Sequence, residues 1–306
     1  MSSLPQFLAN GMVFSCIIVL GAIGLSLVYS IADFANFAHG DLMTVGAFGA
    51  LVGGRYFEGA FPGADVSVFG LPVSFYLALL AGMAVGAVVA VLTERIVYRP
   101  MDAGSIELLI TSIGVALSYR ALVQLQFGAG RRSYDIGRGG PIDFFRETLG
   151  IGMTSRSLVI VTLTFVLVVA LHLLLQYTTL GRKMRATSDN PSLAKVSGIR
   201  TENVVVAMWI IGGALAAAGG VFLGLDTIVR PRMGFDILLV VFAAVILGGI
   251  GSVYGAMLGG FVIGMTHELT PVIPLVGVEY DSAVAFILMV IILLVRPSGI
   301  MGGEAA

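Results

Sequence analysis

The sequence predicts an all-α polytopic membrane protein with about eight transmembrane segments, each set by the roughly 20 apolar residues a spanning helix needs. Three observations carry this. Apolar residues make up 58% of the 306 positions and charged residues only 11%, against about a quarter charged in a soluble domain. Mean hydropathy is +1.00, more apolar surface than one core of this size hides, so lipid is the expected solvent. The apolar residues also fall into runs of spanning length near 11–31, 72–92, 106–127, 157–177, 204–225 and 280–296.

Two further runs depart from that template. Residues 41–54 are short and glycine-rich, covering roughly 21 Å at the helical rise, which reads as part of a broken helix over 36–54. Residues 237–266 are too long for one span and too short for two, and Gly248-Gly249-Ile250-Gly251-Ser252 interrupts them. Two half-helices joined by an unwound turn fit best, since irregular backbone at membrane depth needs protein or a cavity around it. Glycines four apart recur at Gly49 and Gly53, Gly82 and Gly86, Gly220 and Gly224, and Gly251, Gly255 and Gly259. Small residues let membrane helices approach closely where no hydrophobic force drives them together, so the bundle is expected to be tight. Residues 1–306 read as a single transmembrane domain.

Several function classes fall away. The lone cysteine, Cys16, leaves no intrachain disulfide and no cysteine metal cluster. The three histidines are scattered and the net charge is −1, so neither a metal centre nor nucleic-acid binding is expected, and no cofactor is implied. No charge precedes Asp33, so the first apolar run is expected to be retained as a span and not cleaved as a signal peptide. The 13 methionines and 18 phenylalanines are read as packing against lipid and neighbouring helices.

The connections set the orientation. Residues 178–203 hold Arg182, Lys183, Arg185, Lys195 and Arg200 against Asp189 and Glu202, the densest basic cluster, which places this loop in the cytoplasm. Counting spans backward puts 93–105 inside and 128–156 outside. The last loop also carries arginines (Arg131, Arg132, Arg138 and Arg146), nearly balanced by Asp135, Asp143 and Glu147.

Within 181–200, Asn190 is suited to cap a helix whose first residue is Pro191, and Gly198 to end it in a left-handed conformation. Leu193 and Val196 then share one face. An isolated helix this short is marginal, so something must hold it: the ends of its own bundle, or a groove on a partner protein.

Asn36-Phe37-Ala38-His39-Gly40-Asp41 also has two readings. Asn36, His39 and Asp41 offer amide, imidazole and carboxylate to a zwitterionic solute in a pathway. Alternatively, Asp41 caps a helix starting at Leu42, while Asn36 and His39 satisfy buried backbone groups. The Gly248–Ser252 break invites a solute contact at mid-membrane through unwound carbonyls, or close helix crossing. Arg120, Gln124 and Gln126 lie inside a span, where an ionisable residue is a functional candidate. The long Arg120 side chain is read as reaching the interface, with His172 and Tyr177 as similar anchors.

With these motifs in place, the chain resembles the permease subunit of branched-chain amino acid ABC importers. Four motifs carry the resemblance, in order: Asn36–Asp41, Gly181-Arg182 leading into the 190–198 helix, Leu247–Ser252 with Gly255-Ala256, and Arg296-Pro297-Ser298-Gly299-Ile300. The resemblance implies that the loop matching 181–200 docks on a cytoplasmic ATPase, with Gly181, Arg182, Asn190, Pro191, Leu193, Ala194, Val196 and Gly198 as the coupling residues. It implies ABC ATPase subunits, a sister permease or second copy, and an extracytoplasmic solute-binding protein as partners in a cell membrane. The solute pathway is expected near Asn36, His39, Asp41, Gly248, Gly249, Gly251 and Ser252. The only lysines, Lys183 and Lys195, sit in no nucleotide-binding loop, so ATP hydrolysis belongs to another chain and this one is no enzyme. Urea or short amides are alternative solutes. An ion-coupled transporter or channel is the competing class, but few membrane-embedded carboxylates are available to bind coupling ions. An intramembrane enzyme using His39 and Asp41 finds no nucleophile or metal-ligand motif beside them.

Overall fold

A computed structural model describes residues 4–60, 67–101, 103–137, 140–272, 277 and 280–302. The architecture is a helical bundle. Among the described residues, five helices are long and apolar enough to cross a membrane. These are α1 (Leu4–Ala32), α3 (Val73–Met101), α4 (Ser105–Phe127), α6 (Ser155–Tyr177) and α9 (Thr201–Asp226). Between and after them lie α2 (Ala38–Ala60), short α5 (Asp143–Leu149), α7 (Thr179–Asp189), α8 (Pro191–Val196), α10 (Met233–Gly248), α11 (Val253–Leu269) and α12 (Asp281–Val295). A two-strand hairpin, β1 (Ser67–Val68) and β2 (Leu71–Pro72), precedes α3.

α1 and α9 are mostly buried, while α3, α4 and α6 turn much of their surface outward. α1 is therefore the central post. It packs antiparallel to α9: a Cβ on Gly24 would lie 2.8 Å from the Gly212 carbonyl oxygen, and Gly219 sits beside Ile17 and Gly21. The contact needs glycine on both sides, since any side chain would push the backbones apart. α11 runs antiparallel along another side of α1, with Gly260 at Val19 and Gly264 at Ser15.

The break predicted near 36–54 lies at its start. Residues 33–37 are irregular, and α2 then runs unbroken from Ala38 through Ala60, about 34 Å at the helical rise. The apolar run underestimates it because Arg55, Tyr56 and Glu58 extend the helix beyond the hydrophobic stretch. The interruption in 237–266 is, as expected, an unwound turn between two helices, and the two helices form a hairpin. Gly248 abuts the Gly255 carbonyl and Gly259 abuts that of Ala244, so α10 and α11 run antiparallel in close contact. Gly249 and Gly251, at φ 107° and 81°, make the reversal.

Side-chain and backbone bonds sort the connections into two ends of the bundle. At one end, Arg99 pairs with Glu202 at 2.8 Å and the Ser188 hydroxyl donates to the Ser30 carbonyl at 2.9 Å. At the other, the Gly152 N–H donates to Gln6 Oε1 at 2.6 Å, and Arg132 and Val229 exchange backbone bonds. Tyr134 dips from this second end into the bundle, donating to the Ala47 carbonyl at 3.1 Å. Burial pushes its phenol above the ordinary value, so it remains a donor.

Candidate functional site

Three constellations come together, the first largely as residue spacing implies and the other two through partners distant in sequence. The first is the α7–α8 pair. Thr178 caps α7, accepting from the Gly181 N–H at 3.0 Å, and Gly181 lies so close to the Leu174 and Leu175 carbonyls that no Cβ fits. α7 buries Gly181, Met184 and Thr187, a three-residue spacing that is a legible helical stripe; read as a polar loop, this helix was missed. In α8, Asn190 Oδ1 accepts from the Leu193 N–H at 2.9 Å, Pro191 takes the first turn, and Gly198 follows at φ 84°. Ala194 is buried, whereas Leu193 is 63% and Val196 87% exposed. The bundle holds this helix by Ala194 and leaves its apolar face uncovered. Arg182, Lys183 and Lys195 are exposed around it.

The second constellation is the start of α2. Asn36, His39 and Asp41 are buried, at 2%, 0% and 1% exposure. Asn36 Oδ1 accepts from the Ala38 N–H at 3.0 Å and from the Tyr98 hydroxyl at 3.2 Å. Tyr98 is delivered by a π-turn, Glu94–Tyr98, in α3, and its ring stacks on Trp209. His39 Nε2 lies 2.9 Å from the Gly21 carbonyl of α1. Asp41 does not cap a helix beginning at Leu42, because α2 begins at Ala38 and already carries Asp41 in its first turn. Its carboxylate instead takes Arg120 Nε at 3.1 Å and Nη2 at 2.9 Å. That overturns interfacial anchoring for Arg120. A buried carboxylate at the same depth satisfies the guanidinium better than a reach to the headgroups. His172, by contrast, stays exposed near the end of α6, its Nδ1 lying 2.9 Å from the Tyr254 hydroxyl.

Arg120 also lies over the Phe235 ring, 4.5 Å from its centroid. Phe235 belongs to a cluster the sequence reading passed over: Arg230 and Arg232 pair with Asp236 at 3.0 and 3.6 Å, and Arg232 also sits over Phe235 at 5.5 Å. These residues lie between two runs and resemble an ordinary polar loop, so only the pattern Arg-Pro-Arg before an apolar helix was available to flag them.

The third constellation is the α10–α11 turn. Gly248, Gly249, Gly251 and Ser252 do not lie at mid-membrane. The turn stands at the α7–α8 end, where Gly251 approaches Ser30 and Gly251 and Ser252 line a cavity of about 220 Å³ with Ser30, Arg185 and Ser188. The reason is length: α10 and α11 are long enough to carry the turn down to the end of α1. Ser252 caps α11, accepting from the Gly255 N–H at 3.0 Å. The Arg296–Ile300 motif closes over the turn: Ile300 and Met301 N–H donate to the Leu247 and Gly248 carbonyls, each at 2.9 Å.

Such a molecule is a multi-pass membrane protein whose buried Asp41 is matched by Arg120 within the bundle and whose short helix α8 stands with its apolar face uncovered at one end. The chain belongs to the family described as branched-chain amino acid transport system / permease component, which it matches over residues 7–293. It is 31% identical over 300 residues to the high-affinity branched-chain amino acid transport system permease protein BraD of Pseudomonas aeruginosa, covering 97% of this chain and 95% of the relative. Identity is 32% over 304 residues to LivH of Salmonella typhimurium, with the same coverage. A probable LivH of Methanocaldococcus jannaschii is 30% identical over 313 residues, covering 97% and 92%. No solved structure matches the chain.

Proposed function

We propose that this chain is the membrane permease subunit of an ATP-driven importer of branched-chain amino acids in the cell membrane. ATPase subunits on separate chains dock at α8, a sister permease or second copy completes the path, and a solute-binding protein delivers cargo at the opposite end. The carrying observation is the uncovered Leu193–Val196 face on a short helix that its own cap, proline and Ala194 hold in place. Exposed apolar residues on so short a helix fit a knob for a groove on a soluble partner. Arg182 and Lys195 supply a basic surround for acidic groups on that partner.

In this reading Asn36, His39 and Asp41 shape the pathway wall from behind, because each is buried and hydrogen-bonded to the protein. The turn at Gly248, Gly249, Gly251 and Ser252 forms part of the inner end of the path, beside the docking helices. His172 and Gln176 both bond the Tyr254 hydroxyl, at 2.9 and 3.0 Å, and Arg185 donates to Gln176 at 3.0 Å. That chain of bonds links α7 to α11, so movement at the docking site reaches the hairpin directly.

The test is reconstitution. Alone in liposomes, the protein is expected to hydrolyse no ATP and accumulate no leucine. With its cognate ATPases, sister permease and loaded binding protein it accumulates leucine, isoleucine or valine in an ATP-dependent manner. Uptake of urea in place of these would move the assignment to short amides, and ATP hydrolysis by the isolated chain would overturn it.

A further inference from the structure

The start of α10 lies inside the bundle. Gly234 seats on Gly40, and its N–H donates to Thr44 Oγ1 at 3.0 Å. α2 and α4 run side by side here, with Phe37 N–H bonded to Ser112 Oγ at 3.0 Å and the Phe48 ring 4.9 Å from Phe127. Gly40 and Thr44 fall between those two levels, as does Arg120, seven residues before Phe127 at the helix end. The chain therefore leaves α9, pairs Val229 with Arg132 at the bundle end, and descends without helical structure through residues 230–232. Backbone of that kind is stable at membrane depth only against protein or water.

The charges at this place are unevenly covered. Side-chain exposure is 1% for Asp41 and 15% for Arg120, but 35% for Asp236 and 65% for Arg232. A carboxylate and a guanidinium facing outward at this depth cannot face hydrocarbon; such groups turn to a water-filled path or to another protein. Of the three arginines here, Arg120 is committed to Asp41 and Arg230 to Asp236. Arg232 reaches Asp236 only at 3.6 Å, beyond hydrogen-bond range, so its fork of donors is available.

We propose that Arg232 and Asp236, flanking Phe235, form a solute-contact site for a zwitterionic apolar amino acid on the wall of a water-filled path. The proposal rests on the permease reading. Arg232 presents the bidentate geometry that suits an α-carboxylate. Asp236 accepts from the α-ammonium, and the 40%-exposed Phe235 offers apolar surface to the side chain. Arg120, held by Asp41 and stacked on Phe235 from the bundle side, is a positioning residue that fixes the ring. The site is shallow and open, which suits a cargo that must be released as readily as it is received.

The test uses the complete complex in proteoliposomes, in a Cys16→Ser background. Arg232→Cys and Asp236→Cys are expected to react with a membrane-impermeant thiol reagent, and millimolar leucine is expected to slow the reaction. Arg232→Gln and Asp236→Asn should assemble normally with the ATPases and sister permease. Their leucine uptake should fall about tenfold, the scale of one charge-assisted hydrogen bond. Unreactive cysteines, cysteines that cross-link to the sister permease, neutral variants that fail to assemble, or undiminished uptake would each overturn the site. Absence of leucine uptake by the unmodified complex would overturn the permease reading itself, and absent leucine protection would then overturn the site as well, whereas thiol reactivity reports the water path separately.

Discussion

Arg120 grips Asp41 with two roughly parallel hydrogen bonds, at 3.1 and 2.9 Å, tying the outer helix α4 to the first turn of α2. The same guanidinium covers the Phe235 ring, so one side chain joins α4, α2 and α10. The starts of α2 and α10 are thereby fastened to the outer half of α4 by a single polar side chain.

Removing one partner leaves the other charge buried and alone. Arg120→Met is therefore expected to destabilise the protein by about 3–5 kcal/mol, the cost of an orphaned buried charge. Thermal melting of the purified protein in detergent reads this directly. Adding Asp41→Asn to Arg120→Met should recover much of the loss, because the orphaned carboxylate is gone. An Arg120→Met protein melting with the wild type would show that the pair holds nothing together.

The two sides of α8 give opposite outcomes for the same substitution. Leu193→Asp places a charge on an exposed face, so expression and melting should be unchanged while the ATPase no longer co-purifies. Ala194→Asp buries an unpaired carboxylate at a 3%-exposed site and should lower the melting temperature. Retention of the ATPase by Leu193→Asp together with a lowered melt would make α8 a purely structural element.

The α10–α11 contact tolerates no side chain at Gly248, whose Cβ would penetrate the Gly255 backbone. Gly248→Val is expected to cost at least about 1–3 kcal/mol through overpacking, and Gly248→Ala somewhat less. Limited proteolysis should detect the loosened turn as new cleavage near residues 249–252. Wild-type protection in both variants would argue that the helices stand farther apart.

Sidedness is open to cysteine labelling. The turn contacts the segment 298–302 and Ser30, and Ser30 contacts Ser188, so Ser298→Cys and Ser192→Cys should label from one side of the membrane and Gly137→Cys from the other. Any other partition would contradict the packing of the hairpin against α1.

How much of this was legible in the sequence depends on the kind of signal. The long apolar runs announce themselves because lipid demands length and hydrophobicity, which periodic composition displays. The cap at Asn190, the proline at Pro191 and the left-handed Gly198 are local rules and can be read residue by residue. Partnerships across the bundle cannot: nothing near Arg120 in sequence points to Asp41, 79 positions away, and a snorkelling arginine looks the same in one dimension. The direction of the chain after Gly249 is equally hidden, because glycines at a break permit either a kink or a reversal. Arg232 and Asp236 escaped notice because a polar stretch between spans is ordinarily solvated, and only the docking of Gly234 on Gly40 draws it inward.

The bonds from Ile300 and Met301 to the Leu247 and Gly248 carbonyls impose an order of events during biosynthesis. The carbonyls at the end of α10 emerge from the ribosome well before the residues that satisfy them, with α11 and α12 made in between. A nascent chain that has inserted every helix still carries an open end at the hairpin. Translation products stopping after Val295 would thus be fully inserted yet unlatched, a difference that membrane quality-control proteases, which begin at frayed ends, are placed to detect.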